Sequence, residues 1–483
     1  MQLKDLLKEI DVLEILGPPE AEVRGIEDDS RRVFPGALFV ARRGVRVDGH
    51  RYIREAVSRG AVAVVREDSP DPGLPVVQIR VPDSAEALGR LTGAFYGHPQ
   101  RELFLIGITG TNGKSSVAWM LREALQRLGR PAGLIGTLLY DTLRRREKAR
   151  ETTPGPKLLY PLLTEMRAAG ARAAVLEVSS HALAQKRVAG LSFSVGVFTN
   201  LSRDHLDYHQ DLEEYFAAKR LLFERHLAED GVAVVNGRDP WGRRLLRDLS
   251  ERVRVVQLFR NPAVEIVERT FRGLRVRVRE EAATVEIGTR LFGDFQAENL
   301  LAVWAVLRVM GWGPEEIAGA LEGIEAPPGR LEPVASFRGG RVFVDYAHTP
   351  EALEVALSSL RKITRGRLLC LFGCGGNRDR GKRPQMGRVA ARLSDQVFVT
   401  SDNPREEDPW DIIREILSGM NGGAPREVEP DRRMALRRAL LALGPGDVLL
   451  VAGKGHEDYQ EIAGRRIPFS DREEVKRLVR ELS

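Results

Sequence analysis

The 483 residues of this chain exceed the size of one ordinary core and predict about three domains. Hydrophobic residues make up 43% and charged residues 29%, a balance that excludes large-scale disorder. The net charge of +6 is small for this length, so it does not demand a nucleic-acid partner and equally suits substrates with phosphates and carboxylates. No apolar run is long enough to cross a bilayer, and the two cysteines exclude a disulfide framework.

Short β-like runs open the chain at residues 37–41 and 61–65, each beside a helix-like stretch. The middle region begins with an apolar strand at 103–109, which runs into a glycine-rich turn and a helix from about 114 to 128. This alternation predicts the α/β class, with a mainly parallel sheet and helices on both faces. Further strands are predicted at 173–178, 195–199 and 232–236.

A turn-rich joint at residues 326–329 precedes a second alternating region. This region predicts a doubly wound, Rossmann-like domain, whose loops after the strand ends are where such sheets bind ligands. The predicted strands lie at 341–346, 368–372, 396–400 and 447–452. The predicted domains are residues 1–100, 101–328 and 329–483.

The strongest local signal is the segment GITGTNGKS, residues 107–115. It joins a strand to a helix, so its N–H groups and the helix dipole can hold phosphates. Lys114 would reach the terminal phosphates of a nucleotide, and the Ser115 hydroxyl would hold Mg²⁺. The strict pattern has glycine where Ile108 stands, which leaves an ordinary glycine-rich turn as the alternative. The predicted nucleotide-binding residues are Gly110, Thr111, Asn112, Gly113, Lys114, Ser115 and Ser116.

Charged groups follow the next predicted strands. Glu177 ends one strand and can ligate a metal beside the phosphate turn, although a single acid there is more often a cap or a surface group. The loop TNLSRDHLDYH, residues 199–209, holds more charged groups than a surface loop needs, although His205 alone would more often be structural. Lys219 lies in a helical stretch, 213–223, where sequence physics alone favours a solvated lysine.

Loops rich in polar groups also follow the strands of the last region. The basic segment GCGGNRDRGKRP, residues 373–384, suits an anion, with a flexible solvated turn as the alternative. Parallel strands end at one sheet edge, so several such loops together predict a binding site. Cys370 and Cys374 are poor metal candidates, because no second Cys/His pair lies at ligand spacing. The other loops are VDYAHTP at 344–350, DNPR at 402–405 and GKGHED at 453–458.

Taken together, these motifs resemble the Mur ligases from end to end of the chain. The resemblance rests on DSR and PGALFVA, then TGTNGKS, EVSSHAL and TNLSRDHLDYH, and finally VDYAHTP, FGCGGNRDRGKRP, DNPR and AGKGHEDYQ. It implies a UDP-binding domain, a central ATP-binding domain and a C-terminal domain that binds an amino acid and helps to close over ATP. It also implies ATP and Mg²⁺ as cofactors. The implied reaction adds meso-2,6-diaminopimelate to UDP-N-acetylmuramoyl-L-alanyl-D-glutamate through an acyl phosphate, in peptidoglycan precursor synthesis.

The resemblance further implies roles for individual residues. The catalytic set would be Lys114, Glu177, His205 and Lys219, with Lys219 carbamylated into an anion that orients the metal. The metal ligands would be Ser115, Glu177 and His205. The muramoyl dipeptide would be held by Thr152, Thr153, Ser179, Gln185 and Arg187.

The remaining implied roles concern the two nucleotides and the amino acid. Ser30 would contact the uridine nucleotide and Asn299 the adenine, while Arg330 and Asp345 would approach ATP on closure. The amino acid would be bound by Arg378, Asp402, Asn403, Pro404, Arg405, Gly453 and Glu457.

Some positions depart from the family pattern, and other functions stay open. Residues 45–47 differ from the His-Gln-Ala of some relatives, Ser115 replaces the commoner Thr, and Gln296 stands where Asn is usual. The alternatives are a folylpolyglutamate synthase or lysine-adding relative, a P-loop switch or motor ATPase, and an inactive binding protein. Residues 1–13 do not predict a signal peptide, so we expect a cytoplasmic protein. We also expect a monomer without nucleic-acid or membrane partners.

Overall fold

The computed structural model describes residues 1–44, 47–205, 208–249, 253–281 and 283–483. The chain folds into two compact units. The first comprises Met1–Asn261 with Ala305–Gly311, and the second comprises Pro262–Trp304 with Trp312–Ser483. The predicted domain boundaries near residues 100 and 328 each fall inside a unit and stay predictions. Within the described ranges, no helix is both long and apolar enough to cross a bilayer.

The beginning of the first unit is a small, mostly parallel sheet with helices around it. Its strands are β1 (Glu14–Leu16), β2 (Gly25–Glu27), β3 (Ala37–Val40), β4 (Ala63–Arg66) and β5 (Val77–Arg80), and its helices are α1 (Leu3–Leu6), α2 (Ile53–Ser58) and α3 (Ser84–Phe95). The strand order is β1-β5-β4-β3-β2, with β1 antiparallel at one edge. β3 and β4 are buried along their whole length, as the apolar runs predict for central parallel strands.

The rest of the first unit is built on a larger sheet. Its strands are β6 (Phe104–Thr109), β7 (Ala132–Ile135), β8 (Leu139–Asp141), β9 (Arg146–Lys148), β10 (Ala173–Glu177), β11 (Phe193–Phe198), β12 (Leu227–Asn236) and β13 (Arg254–Leu258). Its helices are α4 (Lys114–Arg127), α5 (Pro156–Ala168), α6 (Ser180–Ala184), α7 (Leu212–Arg225) and α8 (Pro240–Asp248).

The order across this sheet is β13-β12-β11-β6-β10-β7-β8-β9. The strands from β13 to β7 are parallel, which confirms the predicted parallel sheet, and β8 and β9 add an antiparallel edge. The register pairs Glu177 with Ile108, and Phe198 with Thr109. The loops after β6, β10 and β11 therefore leave the sheet at the same level and at the same edge.

The second unit begins with an antiparallel meander whose strands the sequence analysis did not predict. Its strands are β14 (Ala263–Thr270), β15 (Gly273–Glu280) and β16 (Ala283–Gly288), followed by the helices α9 (Asp294–Val309) and α10 (Pro314–Leu321). The end of α9, from Ala305 onwards, belongs to the first unit. In β15, buried Leu274, Val276 and Val278 alternate with arginines that are more exposed. This period of two is the signal of a half-buried strand and was available in the sequence.

The second unit continues with the predicted doubly wound sheet. Its strands are β17 (Glu332–Phe337), β18 (Gly340–Asp345), β19 (Leu368–Phe372), β20 (Gln396–Val399), β21 (Arg426–Val428) and β22 (Val448–Ala452). A hairpin, β23 (Tyr459–Ile462) and β24 (Arg465–Pro468), follows. The helices are α11 (Pro350–Arg361), α12 (Lys382–Leu393), α13 (Pro409–Ser418), α14 (Arg432–Leu441) and α15 (Asp471–Leu482).

The strand order β17-β18-β22-β19-β20-β21 has β17 antiparallel and the others parallel. Strand β22, the last strand of this sheet in chain order, lies between β18 and β19, so the sheet has a topological switch point there. Apolar clusters cover both faces, one around α11 and α12 and the other around α14 and α15. The polar loops after β18, β19, β20 and β22 therefore gather at one edge, as predicted.

Candidate functional site

The glycine-rich turn after β6 has a backbone that only glycine adopts easily. Gly110 has a φ of +147°, and a Cβ atom there would lie 1.9 Å from the Thr199 Oγ1 atom. Gly113 has a φ of +86° and precedes the first residue of α4. The Lys114 Nζ atom donates to the carbonyls of Gly110 and Thr111, at 2.8 Å each. The turn is thus a preformed loop at the positive end of a helix.

The polar loop after β11 is bonded directly to this turn. The Asn112 N–H donates to the Asn200 side-chain oxygen at 2.9 Å, and the Thr199 hydroxyl donates to the Asn112 carbonyl at 2.6 Å. The Ser202 N–H donates to the Thr111 hydroxyl at 3.0 Å. These bonds fix the glycine turn to the loop after β11.

A hydroxyl and a carboxylate meet beside the turn. The Ser115 Oγ donates to the Glu177 Oε2 at 2.9 Å, and both residues are buried. The Thr137 N–H and hydroxyl donate to the same carboxylate at 2.9 and 3.0 Å. Thr137, which the sequence reading missed, follows β7, and a Cβ on Gly136 would lie 2.3 Å from the Glu177 Oε1. Ser116, also buried, is one residue further along α4.

Lys219 is buried, so the sequence-based preference for a solvated lysine was wrong. Only 1% of this residue is exposed, and its Nζ donates to the Gly110 carbonyl at 2.9 Å. The same nitrogen lies 4.2 Å from the centroid of the Tyr215 ring. Burial, followed by the charge of Lys114, lowers the pKa of Lys219 well below its ordinary value. This shift makes the neutral, nucleophilic amine easier to form than in a solvated lysine.

His205 lies in the loop after β11, in a cluster of aromatic rings. It has a φ of +55°, and its ring centroid is 4.9 Å from that of His181 at the start of α6. Its side chain is 45% exposed, with Nε2 3.4 Å from the Asp204 Oδ2. His209, in the same loop, shares a 2.9 Å hydrogen bond with the Ser180 hydroxyl. The structure therefore brings His205 next to α6, while residues 206 and 207 of this motif lie outside the described residues.

The residues expected to hold a muramoyl dipeptide form one connected group. The Thr153 hydroxyl donates to the Glu177 carbonyl at 2.8 Å and accepts the Ser179 N–H at 3.0 Å. The Thr152 and Thr137 hydroxyls are 3.1 Å apart. The Arg187 guanidinium donates to the Thr153 carbonyl at 3.1 Å. Gln185 joins the group by accepting from Arg187 at 2.8 Å.

Ser30 lines a cavity of about 640 Å³ in the first unit. Its hydroxyl donates to the Glu55 carboxylate at 3.0 Å. Lys157, at the start of α5, also lines the cavity and pairs with the acids Glu27 and Asp28. Residues 45 and 46, where the sequence departs from the family pattern, lie outside the described residues.

The nucleotide contacts predicted in the second unit fall in two places. Asp345 ends β18 and accepts the N–H groups of Leu331 and Ala347 at 2.6 and 2.8 Å. Burial raises the pKa of Asp345 to about 6, against the opposing charge of Arg330. In α9, the Asn299 amide donates to the buried Gln296 oxygen at 3.0 Å.

The loops after β19, β20 and β22 bring the predicted amino-acid-binding residues together. The Asn403 amide donates to the Glu457 carboxylate at 2.9 Å. Arg405 has a φ of +54° and donates to the Gly376 carbonyl at 2.6 Å. A Cβ on Gly375 would lie 3.0 Å from the Arg405 Nη1 and 3.7 Å from the Arg378 Cγ, so the two arginines flank this glycine.

Two close approaches explain the glycines of these loops. A Cβ on Gly376 would lie 1.9 Å from the Pro404 carbonyl oxygen. A Cβ atom on Gly453, which has a φ of +112°, would lie 2.9 Å from the Asp402 Oδ2. The loops therefore approach segment 402–405 so closely at these two glycines that a side chain at either position would clash with it.

A glycine turn between a buried strand and a helix, with a hydroxyl and a buried carboxylate beside it, defines a nucleotide-dependent α/β enzyme of the P-loop type. Comparison with known proteins shows which family of P-loop enzymes the chain resembles. The Mur ligase catalytic-domain model matches residues 22–96, the Mur ligase middle-domain model 108–307, and the glutamate ligase domain model of the Mur ligases 329–455.

Individual relatives agree with these domain matches. The UDP-N-acetylmuramoyl-L-alanyl-D-glutamate–2,6-diaminopimelate ligase of Geobacter metallireducens is 43% identical over 508 residues, covering 100% of this chain and 99% of its own. A solved structure of a ligase with the same name has a TM-score of 0.71 at 28% identity, covering 100% of this chain and 99% of its own. A MurF ligase from Thermotoga maritima in complex with ADP has a TM-score of 0.62 at 19% identity, covering 95% and 97%, and this likeness shows the fold alone.

The chain belongs to the Mur ligase family. It is an ATP-dependent ligase with the three-domain α/β architecture of that family, as the sequence predicts. The alternative of a P-loop switch or motor ATPase is thereby excluded.

Proposed function

We propose that this chain joins meso-2,6-diaminopimelate to UDP-N-acetylmuramoyl-L-alanyl-D-glutamate, with ATP and Mg²⁺, as a cytoplasmic monomer in peptidoglycan precursor synthesis. The observation that carries the proposal is the 43% identity, over the whole chain, to a ligase named for this reaction. The clustering of Asn403, Arg405 and Glu457 supports it, because these groups suit an amino acid with a charged far end.

In the first step, the substrate carboxylate attacks the γ-phosphate of ATP, which forms an acyl phosphate and releases ADP. Two anions must meet, so catalysis depends on positioning and on neutralising charge. Lys114 would turn from the loop carbonyls to the phosphates, while the N–H groups of the glycine turn would hold them.

The residues beside the turn fit a magnesium ion. The Ser115 hydroxyl and the Glu177 carboxylate lie 2.9 Å apart and offer the oxygen donors that this hard cation prefers. We propose these two groups and His205 as its ligands. When bound, the ion would offset the negative charge that develops on the transferred phosphoryl group.

Lys219 would become a carbamate that orients the metal. The lowered pKa favours the neutral amine that attacks CO₂, and the neighbouring Lys114 would balance the resulting anion. The hydrogen bond to the Gly110 carbonyl supports the assignment, because it joins Lys219 to the phosphate turn.

In the second step, the amine of the incoming amino acid displaces phosphate and forms the amide. Arg405 and Arg378 would bind a carboxylate of the amino acid, and Asp402 and Glu457 would bind an ammonium. Thr152, Thr153, Ser179, Gln185 and Arg187 would hold the muramoyl dipeptide, Ser30 its uridine nucleotide, and Asn299, Arg330 and Asp345 the ATP.

The proposal is tested by an ATP-dependent ligation assay with the muramoyl dipeptide and a panel of amino acids. We expect meso-diaminopimelate to give the highest kcat/KM, and L-lysine a much lower one, since lysine lacks the far carboxylate. Equal use of lysine would contradict the proposed substrate, and no ligation with any amino acid would contradict the proposed reaction.

A further inference from the structure

Lys454, which none of the predicted roles includes, is buried at the centre of the proposed amino-acid site. It is the second residue of the loop after β22, with 0% exposure. Its Nζ donates to the Asn403 Oδ1 and the Glu457 Oε2 at 3.0 Å each, and lies 3.4 Å from the Asp402 Oδ1. One ammonium group thus contacts three of the side chains expected to bind the substrate.

These contacts decide which way the Asn403 amide points. Its Oδ1 accepts from Lys454 and also from the Glu461 N–H at 2.9 Å, which uses both lone pairs. Its Nδ2 consequently lies on the other side and donates to the Glu457 Oε2 at 2.9 Å. Asn403 therefore directs its oxygen towards Lys454 and its N–H groups away from it, and N–H groups can bind a carboxylate, whereas an amide oxygen would repel it.

Lys454 also sets the charge balance around the site. Asp402 and Glu457 are two carboxylates, and the single Lys454 ammonium between them leaves a net charge of one negative unit for the three groups. That charge suits one substrate ammonium. Without Lys454, the carboxylates of Asp402 and Glu457 would exceed the single substrate ammonium in charge. The site would then bind a second cationic group more readily.

Other groups hold the backbone of these loops. The Arg432 guanidinium donates to the Ser401 carbonyl at 3.1 Å and the Ala452 carbonyl at 2.9 Å, and it pairs with buried Asp471 at 2.7 Å. Removal of Lys454 should therefore change the directions and charges of side chains more than the course of the loops.

We propose that Lys454 is a specificity-determining positioning residue: it orients the Asn403 amide and balances Asp402 and Glu457, so that the site selects an amino acid whose far end carries both an ammonium and a carboxylate. The inference rests on the proposed function. It requires that loss of Lys454 weaken the use of meso-diaminopimelate more than that of L-lysine, and leave the formation of acyl phosphate intact.

The test compares wild type, Lys454→Met and Lys476→Met. Lys476 carries the matched control substitution, because it is a half-exposed lysine on α15 paired with Glu473. For Lys454→Met we expect kcat/KM for meso-diaminopimelate to fall about 10–100-fold, mostly through KM, and the preference over L-lysine to shrink by a similar factor. Trapping of the acyl phosphate as a hydroxamate, without amino acid, should stay within about threefold of wild type.

Unchanged KM and preference in Lys454→Met would overturn the inference, and so would a parallel loss of hydroxamate formation. If Lys454→Met does not fold, Lys454→Gln removes the charge but keeps an N–H donor in the buried site, and the inference requires that this variant form hydroxamate yet discriminate poorly. Retained discrimination in that variant would contradict it. Failure of the proposed function is distinguishable, because wild type itself would then not ligate meso-diaminopimelate.

Discussion

Replacing Glu177 with Gln would separate the chemistry of the phosphate turn from its stability. The carboxylate accepts the Thr137 N–H at 2.9 Å through Oε1, and the hydroxyls of Ser115 and Thr137 at 2.9 and 3.0 Å through Oε2. The N–H can only donate, so the glutamine oxygen must take the Oε1 position. Its NH₂ group then faces two hydroxyls, which can rotate and accept.

The expected loss of folding free energy is therefore small, about 1 kcal/mol. The loss of activity should be large, about 10²–10³-fold or about 3–4 kcal/mol of activation free energy, because the buried negative charge beside Ser115 is lost. Thermal unfolding measures the first quantity, and ADP release measured against Mg²⁺ concentration measures the second.

The matched control for Glu177→Gln is Glu213→Gln. Glu213 is an exposed acid on α7 whose partner is Arg244. Its loss should therefore change neither the folding free energy nor the activity appreciably. A Glu177→Gln enzyme within about threefold of wild-type activity at every Mg²⁺ concentration would refute the metal role. If the Tm of Glu177→Gln fell as far as it does when a large buried side chain is removed, Glu177 would be needed for folding rather than for metal binding.

Four further predictions follow from single residues. Gly110→Ala should destabilise the protein by about 2 kcal/mol or more and weaken ATP binding, measured by thermal unfolding and calorimetry, because its Cβ would lie 1.9 Å from Thr199. Arg405→Ala should lose most of the preference for meso-diaminopimelate over L-lysine, about 10–100-fold in relative kcat/KM. Lys219→Ala should lose about 10²–10³-fold of its ligation rate, which added bicarbonate does not restore but a short-chain carboxylic acid restores in part. For Asp345, whose pKa is raised from 3.8 to about 6, the folded state holds the proton more tightly. Wild type should therefore lose up to about 3 kcal/mol of stability relative to Asp345→Asn as pH rises from about 4 to about 6, as urea unfolding would measure.

The phosphate turn and the main sheets were predictable because their signals are local. An apolar strand, a glycine turn and Lys114 at the start of a helix occur together in a few residues, and parallel strands must end at one edge. Glu177 could be located for the same reason, since it ends a strand beside β6. The meander around β15 was missed although its alternation is visible in the sequence.

The burial of Lys219 and the position of Thr137 depend on tertiary packing. Lys219 is buried because α7 packs over the sheet, where Leu222 approaches Gly107, and nothing in the neighbouring letters of the sequence shows this. Thr137 reaches Glu177 only because β7 lies beside β10 in a particular register. Lys454 likewise cannot be told from an ordinary glycine-loop lysine in the sequence, because its contacts with Asp402 and Asn403 come from a separate loop of the fold.

The central claim is that ATP drives the addition of meso-diaminopimelate to the muramoyl dipeptide. Its most direct test measures ligated product and ADP together, with purified wild-type protein, Mg²⁺, the UDP-linked muramoyl dipeptide, and meso-diaminopimelate or L-lysine. The account predicts one ADP for each amide formed and a strong preference for meso-diaminopimelate. ADP release without product, or equal rates with the two amino acids, would contradict it.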